Sequence, residues 1–105
     1  MRFLAYDLSL DLIRNLREPL ATIRRHDAAL AKQARDALNS VAMNLAEGSG
    51  RNGGDRQHLF AIAFGSLREV GAALDIGTAH GWFESPPCFA ERDRLAGMRW
   101  RLKRQ

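Results

Sequence analysis

Apolar residues recur every three or four positions along most of the chain, and this spacing predicts helices rather than strands. In the first segment the recurring residues are Leu8, Leu12, Leu16, Leu20 and Ile23. They share one face of a helix that we expect from about Ser9 to Arg25. Pro19 removes an amide donor from that helix, so we expect a kink near Leu16 or a helix that restarts there.

The second predicted helix runs from Asp27, a favourable N-cap residue, to Glu47. Its apolar face would carry Leu30, Ala34, Leu38, Val41 and Leu45. A glutamate is unfavourable at the negative pole of a helix, so Glu47 should accept hydrogen bonds from the loop, from Arg56 or His58, or from an arginine of a neighbouring subunit. We expect Gly48 to end this helix in the left-handed conformation.

The third predicted helix is the longest, from an N-cap at Asp55 to about His80, with a stop at Gly81. It carries two apolar stripes, one of Phe60, Ala63, Phe64, Leu67, Val70 and Leu74, the other of Leu59, Ile62, Ala73 and Ile76. A single small bundle would leave the second stripe in water, so we expect that stripe to form a subunit interface. Ser66 interrupts the apolar stretch and requires a hydrogen-bond partner if it is buried.

The fourth predicted helix begins at Ser85 as N-cap, with Pro86 and Pro87 in the first turn, where a missing amide costs nothing. Its apolar residues are Phe89, Leu95, Met98 and Leu102, with Trp100 off that face. Short connections favour antiparallel neighbours. The sequence therefore predicts an all-α protein, a single domain over residues 1–105 folded as an antiparallel up-down-up-down four-helix bundle.

The net charge of +4 is concentrated at the C-terminal end, because residues 91–105 hold six cations against two anions and the preceding residues hold ten of each. Lysine and arginine neutralise nucleic-acid phosphates. The candidate phosphate contacts are Arg24, Arg25, Arg51, Arg56, Arg99, Arg101, Lys103 and Arg104. The alternative for the C-terminal group is a solvated helix end whose cations complement the helix dipole.

The sequence predicts no catalytic residue, cofactor or metal ion. Residues 48–53 match the G-x-G-x-x-G pattern of dinucleotide-binding turns, but a helix precedes them where that turn needs a strand. The histidines, His26, His58 and His80, lack metal-binding spacing and are expected at helix ends or on the surface. Glu69 should lie two to three helical turns deeper than Glu47, which favours a structural role or a pairing across subunits over a carboxylate pair within one subunit.

Cys88 is the single cysteine, so it cannot form an internal disulfide, and we expect a reducing cytoplasm. It has no neighbouring histidine or cysteine that would indicate an activated thiol. An acid at Asp7 comes too early for a signal peptide, and no apolar run approaches the roughly 20 residues of a membrane span. We therefore expect a soluble cytoplasmic protein with no membrane partner.

The segment Asn44-Leu45-Ala46-Glu47-Gly48-Ser49-Gly50-Arg51, with Phe64-Gly65-Ser66-Leu67-Arg68-Glu69, resembles the paired signature of small four-helix-bundle proteins encoded in intervening sequences of bacterial 23S rRNA genes. The similarity spans about Tyr6 to Trp100. That family is similar to the accessory proteins of diversity-generating retroelements, which are basic, assemble as rings of five bundles and bind RNA and a reverse transcriptase. This chain is less basic than those accessory proteins.

The resemblance implies a cytosolic, non-enzymatic bundle that assembles as a cyclic homo-pentamer. It also implies an architectural role for the recurring motif residues Asn44, Glu47, Gly48, Ser66 and Glu69. The first functional hypothesis is an oligomer that binds structured RNA through arginines at helix ends, with little sequence preference. The second is a protein–protein interaction scaffold that does not bind nucleic acid, and the third is an enzyme with a site between subunits.

Overall fold

A computed structural model describes residues 3–103, and this part of the chain is helical with no strand. Its helices are α1 (Leu4–Asn15), α2 (Arg17–His26), α3 (Ala28–Ser49), α4 (Gly53–Ala79), α5 (Phe89–Gly97) and α6 (Arg99–Lys103). The prediction of an all-α protein is therefore confirmed. No helix within the described range is both long enough and apolar enough to cross a bilayer.

The first predicted helix is two helices, and the prediction of a restart near Leu16 is confirmed. Leu16 has φ −93° and ψ 1°, ends α1 and precedes α2. Pro19 is the third residue of α2, where backbone amides have no partner within the helix, so its missing N–H costs little there. The fully buried Leu16 side chain fixes the break against the core. The first helix starts at Leu4, earlier than the predicted Ser9.

The antiparallel pair of α3 and α4 forms the centre of the molecule. Near their connecting turn Gly48 lies against Phe60, and farther from it Ser40 contacts Ser66. The predicted stripe of Phe60, Ala63, Phe64, Leu67, Val70 and Leu74 is buried throughout. From α3 the core receives Ala31, Ala37, Leu38, Val41 and Leu45. Helices α1 and α5 flank this pair and are joined by a hydrogen bond from Asn15 Nδ2 to Glu91 Oε2 of 2.7 Å.

Two predicted helix boundaries around α3 and α4 are confirmed. Asp27 caps α3, accepting a hydrogen bond from the Leu30 amide at 3.0 Å. At the end of α4, Gly81 has φ 81°, and the Trp82 amide donates to the Gly77 carbonyl at 2.9 Å. The Gly81 amide donates to the Thr78 carbonyl, which completes the two-bond motif that ends many helices at a left-handed glycine.

Two other predictions at the α3–α4 turn are wrong. Gly48 does not end α3; it is a buried helical residue, and the C-cap is Gly50 with φ −93°. Asp55 is not the N-cap of α4, because that helix begins at Gly53 after Asn52. Gly53, with a left-handed φ of 58°, is the first residue of α4 and lies two residues before Asp55. The Asp55 carboxylate accepts a hydrogen bond from Arg51 instead of capping the helix.

The predicted start of the last helix at Ser85 is also wrong. Pro86 and Pro87 lie in the preceding turn, and α5 begins at Phe89 after Cys88, which has a left-handed φ of 54°. Arg92 Nε donates to the Pro87 carbonyl at 3.1 Å and holds the prolines in that turn. On the predicted apolar face, Leu95 and Leu102 are buried and Met98 is half-buried, but Phe89 is exposed.

Candidate nucleic-acid interface

The motif residues Asn44 and Ser66 meet at Ser40, a residue that the sequence analysis did not single out. Ser66 Oγ donates to Ser40 Oγ at 2.8 Å, and Asn44 Nδ2 donates to the same oxygen at 3.0 Å. All three side chains are half-buried between α3 and α4. Ser66, which was expected to require a partner if buried, is half-buried and has one. Ser40 lies four residues before Asn44, so helical spacing was the available signal for its place in this network.

Glu47 has the loop partner that the sequence analysis expected. Arg51 donates to Glu47 Oε1 at 2.9 Å and to Asp55 Oδ2 at 3.0 Å, bridging the end of α3 and the start of α4. The hydrogen bonds that Arg51 donates to Glu47 and, next, to Asp55 raise the pKa of Arg51 above its ordinary value. These side chains are each more than half exposed, so they form a surface brace across the turn.

Glu47 and Glu69 do not form a carboxylate pair within one chain. Glu47 lines a groove with Asn39, Met43 and Leu59, whereas Glu69 lines another with residues such as Gln33 and Ile76. The antiparallel arrangement of α3 and α4 places these grooves at different levels. Two carboxylates that line separate grooves cannot divide acid and base roles on one substrate.

The predicted phosphate contacts fall at two opposite ends of a molecule 42 Å long. Arg24 and Arg25 end α2, whereas Arg51 and Arg56 lie at the turn beyond α3, a helix of 22 residues. Arg99 and Lys103 on α6 also lie at this second end, beside Gln57 and Phe60 of α4. These cations therefore do not form one patch in a single subunit. Arg104 lies outside the described residues.

Several of these cations are engaged within the chain. Arg51 bridges two carboxylates, and Arg56 Nε donates to the Arg51 carbonyl at 2.8 Å. The guanidinium of Arg99 lies 6.0 Å from the centre of the Phe64 ring. Arg101 and Lys103 are exposed on α6. The two arginines at the α3–α4 turn thus stabilise that turn, and the more open cations at this end are those of α6.

A basic groove between α2 and α3 is a stronger candidate site. It encloses about 430 Å³, and its lining residues are Arg17, Leu20, Ala21 and Arg24 from α2, and Ala28, Ala31, Lys32 and Arg35 from α3. Each set follows the spacing i, i+3, i+4, i+7, which places its members on one helical face. The α2 set has cations at both ends and apolar residues between them, whereas the α3 set has two alanines followed by Lys32 and Arg35.

The electrostatics of the basic groove favour an anionic ligand. All its charged lining residues are cations. Lys32 Nζ contacts Asp36 at 2.8 Å, and this bond lowers the pKa of the Asp36 carboxyl. Within residues 3–103 the side chains of Arg17, Arg24 and Arg35 make no hydrogen bond or salt bridge, although the charge of Arg35 also helps to lower the pKa of Asp36. Of the groove cations, only Arg24 was among the phosphate contacts predicted from sequence. The spacing i, i+3, i+4, i+7, which recurs in residues 17–24 and 28–35, was the available signal for Arg17, Lys32 and Arg35.

Next to one end of the basic groove, two histidine rings stack on Trp82. The His26 ring centre lies 4.8 Å from that of Trp82 with 6° between the planes, and the His80 ring centre lies 4.7 Å away with 13°. His26 ends α2 and His80 is the C-cap of α4, as expected for residues at helix ends. His58 is exposed on α4. No pattern in the sequence indicated this stack, because His26 is remote along the chain from His80 and Trp82.

Among the described residues, no group of three or more histidine, cysteine, aspartate or glutamate side chains is arranged to hold a metal ion. No family model, curated protein or solved structure matches the chain. The geometry and charge of the surface therefore provide the basis for a functional proposal.

Proposed function

We propose that this protein is a non-enzymatic four-helix-bundle protein of the cytoplasm that binds structured RNA through phosphate contacts. In this bundle α1 and α2 together would be the first of the four helices, and α5 and α6 together would be the fourth. The observation that carries the proposal is the basic groove, where Arg17, Arg24 and Arg35 form no ion pair within the described chain. A phosphodiester backbone would supply the missing negative charge.

The lining of the basic groove suits a nucleic-acid backbone. Cations on both sides can neutralise phosphates and release condensed counterions. The small side chains of Ala21, Ala28 and Ala31 allow a strand to approach the helix surfaces. Arginine offers several N–H donors to phosphate oxygens. Because such contacts do not read base edges, we expect affinity for RNA with little sequence preference.

The test compares two variants that each remove three positive charges. The first replaces Arg17, Arg24 and Arg35 with glutamine, and the control replaces Arg99, Arg101 and Lys103. Binding of a structured RNA is measured by fluorescence anisotropy over a range of salt concentrations. We expect the groove variant to bind at least about tenfold more weakly, with its salt slope reduced by about one for each phosphate that the variant no longer neutralises. The control should bind more tightly than the groove variant.

Three outcomes separate the alternatives. Equal losses of affinity in the two variants would indicate dependence on net charge rather than on the basic groove. A larger loss in the α6 variant would place the RNA at the other end of the molecule, as the charge concentration near the C-terminus suggests. If the parent binds no structured RNA even at low salt, the protein–protein scaffold replaces the RNA-binding proposal.

We also propose that the protein self-associates through the second stripe of α4. Ile62 and Ile76 are 40% and 43% exposed, and Leu59 of the same stripe is half-buried beside the exposed Met43 of α3. Ala73, the fourth residue of the stripe, is already buried within the subunit. A subunit interface would remove this apolar surface from water. The resemblance to ring-forming bundles supports a cyclic homo-pentamer as the assembly.

Sedimentation velocity tests the self-association. Ile62→Lys should dissociate the oligomer, because an unpaired charge in an apolar contact costs several kcal/mol. Leu4→Lys is the control, since Leu4 is 46% exposed on α1 and lies outside the stripe. A parent protein that sediments as a monomer at micromolar concentration would overturn the interface, and a stable oligomer of another size would overturn the pentamer.

A further inference from the structure

The stack of His26, Trp82 and His80 is fixed from two directions. Trp82 follows Gly81, whose φ is left-handed, and the hydrogen bond from the Trp82 amide to the Gly77 carbonyl holds Trp82 beneath the end of α4. His26 is placed by the end of α2. Both imidazole rings are exposed, whereas Trp82 is half-buried. Because these rings already stack on one another, a planar partner could stack here with little additional loss of side-chain freedom.

We infer that this stack is a platform for an unpaired RNA base, an inference that rests on the proposed function. Aromatic and histidine side chains bind splayed-out bases by stacking, which requires no particular base identity. The two imidazole rings stack on Trp82 and belong to exposed residues, so a base could add to this stack on a histidine ring. Bases within a duplex are stacked on their neighbours and cannot reach such a platform. The RNA class is therefore a structured RNA with an unpaired loop or bulge.

The neighbouring charges fit an RNA strand that passes from the stack to the basic groove. Successive residues of a helix are about 100° apart, so Arg25 lies between His26 and Arg24 around α2. Arg25 uses one N–H on Thr22 Oγ1 at 3.0 Å and retains other donors for a phosphate. The acids nearest to the stack along the chain are Asp27, which caps α3, and the exposed Glu84. A base on the stack and phosphates on Arg25 and Arg24 would thus be adjacent contacts.

The fluorescence of Trp82 provides a direct test. The chain has two tryptophans, so Trp100→Phe leaves Trp82 as the only one. This protein is titrated with an RNA hairpin that has an unpaired loop and with a blunt duplex of equal phosphate count. We expect the hairpin to quench Trp82 and the duplex to leave its emission nearly unchanged. Anisotropy of labelled RNA reports binding in both titrations.

A variant pair gives a second measurement. His26→Ala with His80→Ala should weaken hairpin binding by about tenfold or more, in the range of losing one stacked base, and leave duplex binding unchanged. His58→Ala is the control, because His58 is exposed on α4 outside the stack. Circular dichroism verifies that each variant is folded, and the quenching titration needs no histidine substitution.

The outcomes distinguish this inference from the proposed function. If both RNAs bind, but the hairpin neither quenches Trp82 nor depends on the two histidines, the platform is wrong and phosphate binding stands. Equal quenching by the duplex would also overturn the platform. If neither RNA binds at low salt, the proposed function fails and this inference fails with it.

Discussion

Gly48 on α3 faces Phe60 on α4 so closely that a Cβ atom on Gly48 would lie 2.7 Å from Cε1 of the Phe60 ring. Phe60 is buried and stacks on Phe3 with 5.8 Å between ring centres, so its ring has little room to move. This contact accounts for a glycine inside a helix, where glycine is about 1 kcal/mol less favourable than alanine. The two central helices thus approach one another at a position where even a methyl group would clash with the Phe60 ring.

Gly48→Ala should therefore destabilise the protein. Overpacking a core costs about 1–3 kcal/mol, which exceeds the gain of up to about 1 kcal/mol in helix propensity. Gly65→Ala is the matched control, because a Cβ atom on Gly65 of α4 would meet nothing within 4 Å. We expect Gly65→Ala to stabilise by up to about 1 kcal/mol in urea denaturation. A Gly48→Ala protein at least as stable as the parent would contradict the contact.

The hydrogen bonds at Ser40 should be coupled in stability. Ser40→Ala removes the acceptor of Ser66 and one acceptor of Asn44, whose amide retains the Ser40 carbonyl at 2.9 Å. It should cost about 1–2 kcal/mol, whereas Ser66→Ala should cost about 0.5–1 kcal/mol. A double-mutant cycle on these serines should give a coupling of at least about 0.5 kcal/mol. Ser49→Ala is the control, since the exposed Ser49 hydroxyl contacts only its own helix. Additive effects of Ser40→Ala and Ser66→Ala would mean that the two hydroxyls act independently.

The Glu47–Arg51 bridge should contribute a small, salt-sensitive stabilisation. Their side chains are 56% and 51% exposed, so water and ions screen the pair. Glu47→Gln should lower the thermal midpoint slightly at low salt and leave it unchanged near 1 M salt, where the screening length is about 3 Å. Arg51→Gln should have the larger effect because it also removes the Asp55 contact. A salt-independent decrease in Glu47→Gln would show that the charge is not the cause.

Cys88 should react slowly in the folded protein. Burial raises the pKa of its thiol, and the carboxylate of Glu91 raises it further, so less reactive thiolate is present at pH 8 than in the unfolded chain. Alkylation by iodoacetamide should be slower in buffer than in urea, and the difference should diminish as pH rises above the folded thiol's pKa. Glu91→Gln should accelerate alkylation of the folded protein. Equal rates with and without urea at pH 8 would contradict the raised pKa.

Features determined by neighbouring residues could be predicted from sequence, and features determined by contacts across the fold could not. The cap at Asp27 and the stop at Gly81 depend on local backbone chemistry, and both predictions are confirmed. Gly48 fits the same end-of-helix rule, but its close contact with Phe60 decides its role. Ser85 followed by two prolines is typical of a helix start, yet the bond from Arg92 to Pro87 keeps that segment in a turn.

The same difference between local and long-range features applies to the residues of the candidate site. The concentration of charge near the C-terminus predicted phosphate contacts on α6. The basic groove could not be predicted in this way, because it forms where α2 and α3 place similarly spaced residues side by side. Arg17 and Arg35 are dispersed among other residues in the sequence and become neighbours only through packing. The stack on Trp82 likewise joins helix ends that are remote in sequence.

The hydrogen bond between Asn15 and Glu91 spans 76 residues and has a consequence for the order of folding. The contacts between α3 and α4, such as Ser40 with Ser66, close a loop of far fewer residues. Short loops cost less chain entropy to close, so we expect the α3–α4 hairpin to form in the folding transition state. Substitution of Ser66 should therefore slow folding. Substitution of Asn15 should instead accelerate unfolding, because the two flanking segments meet last.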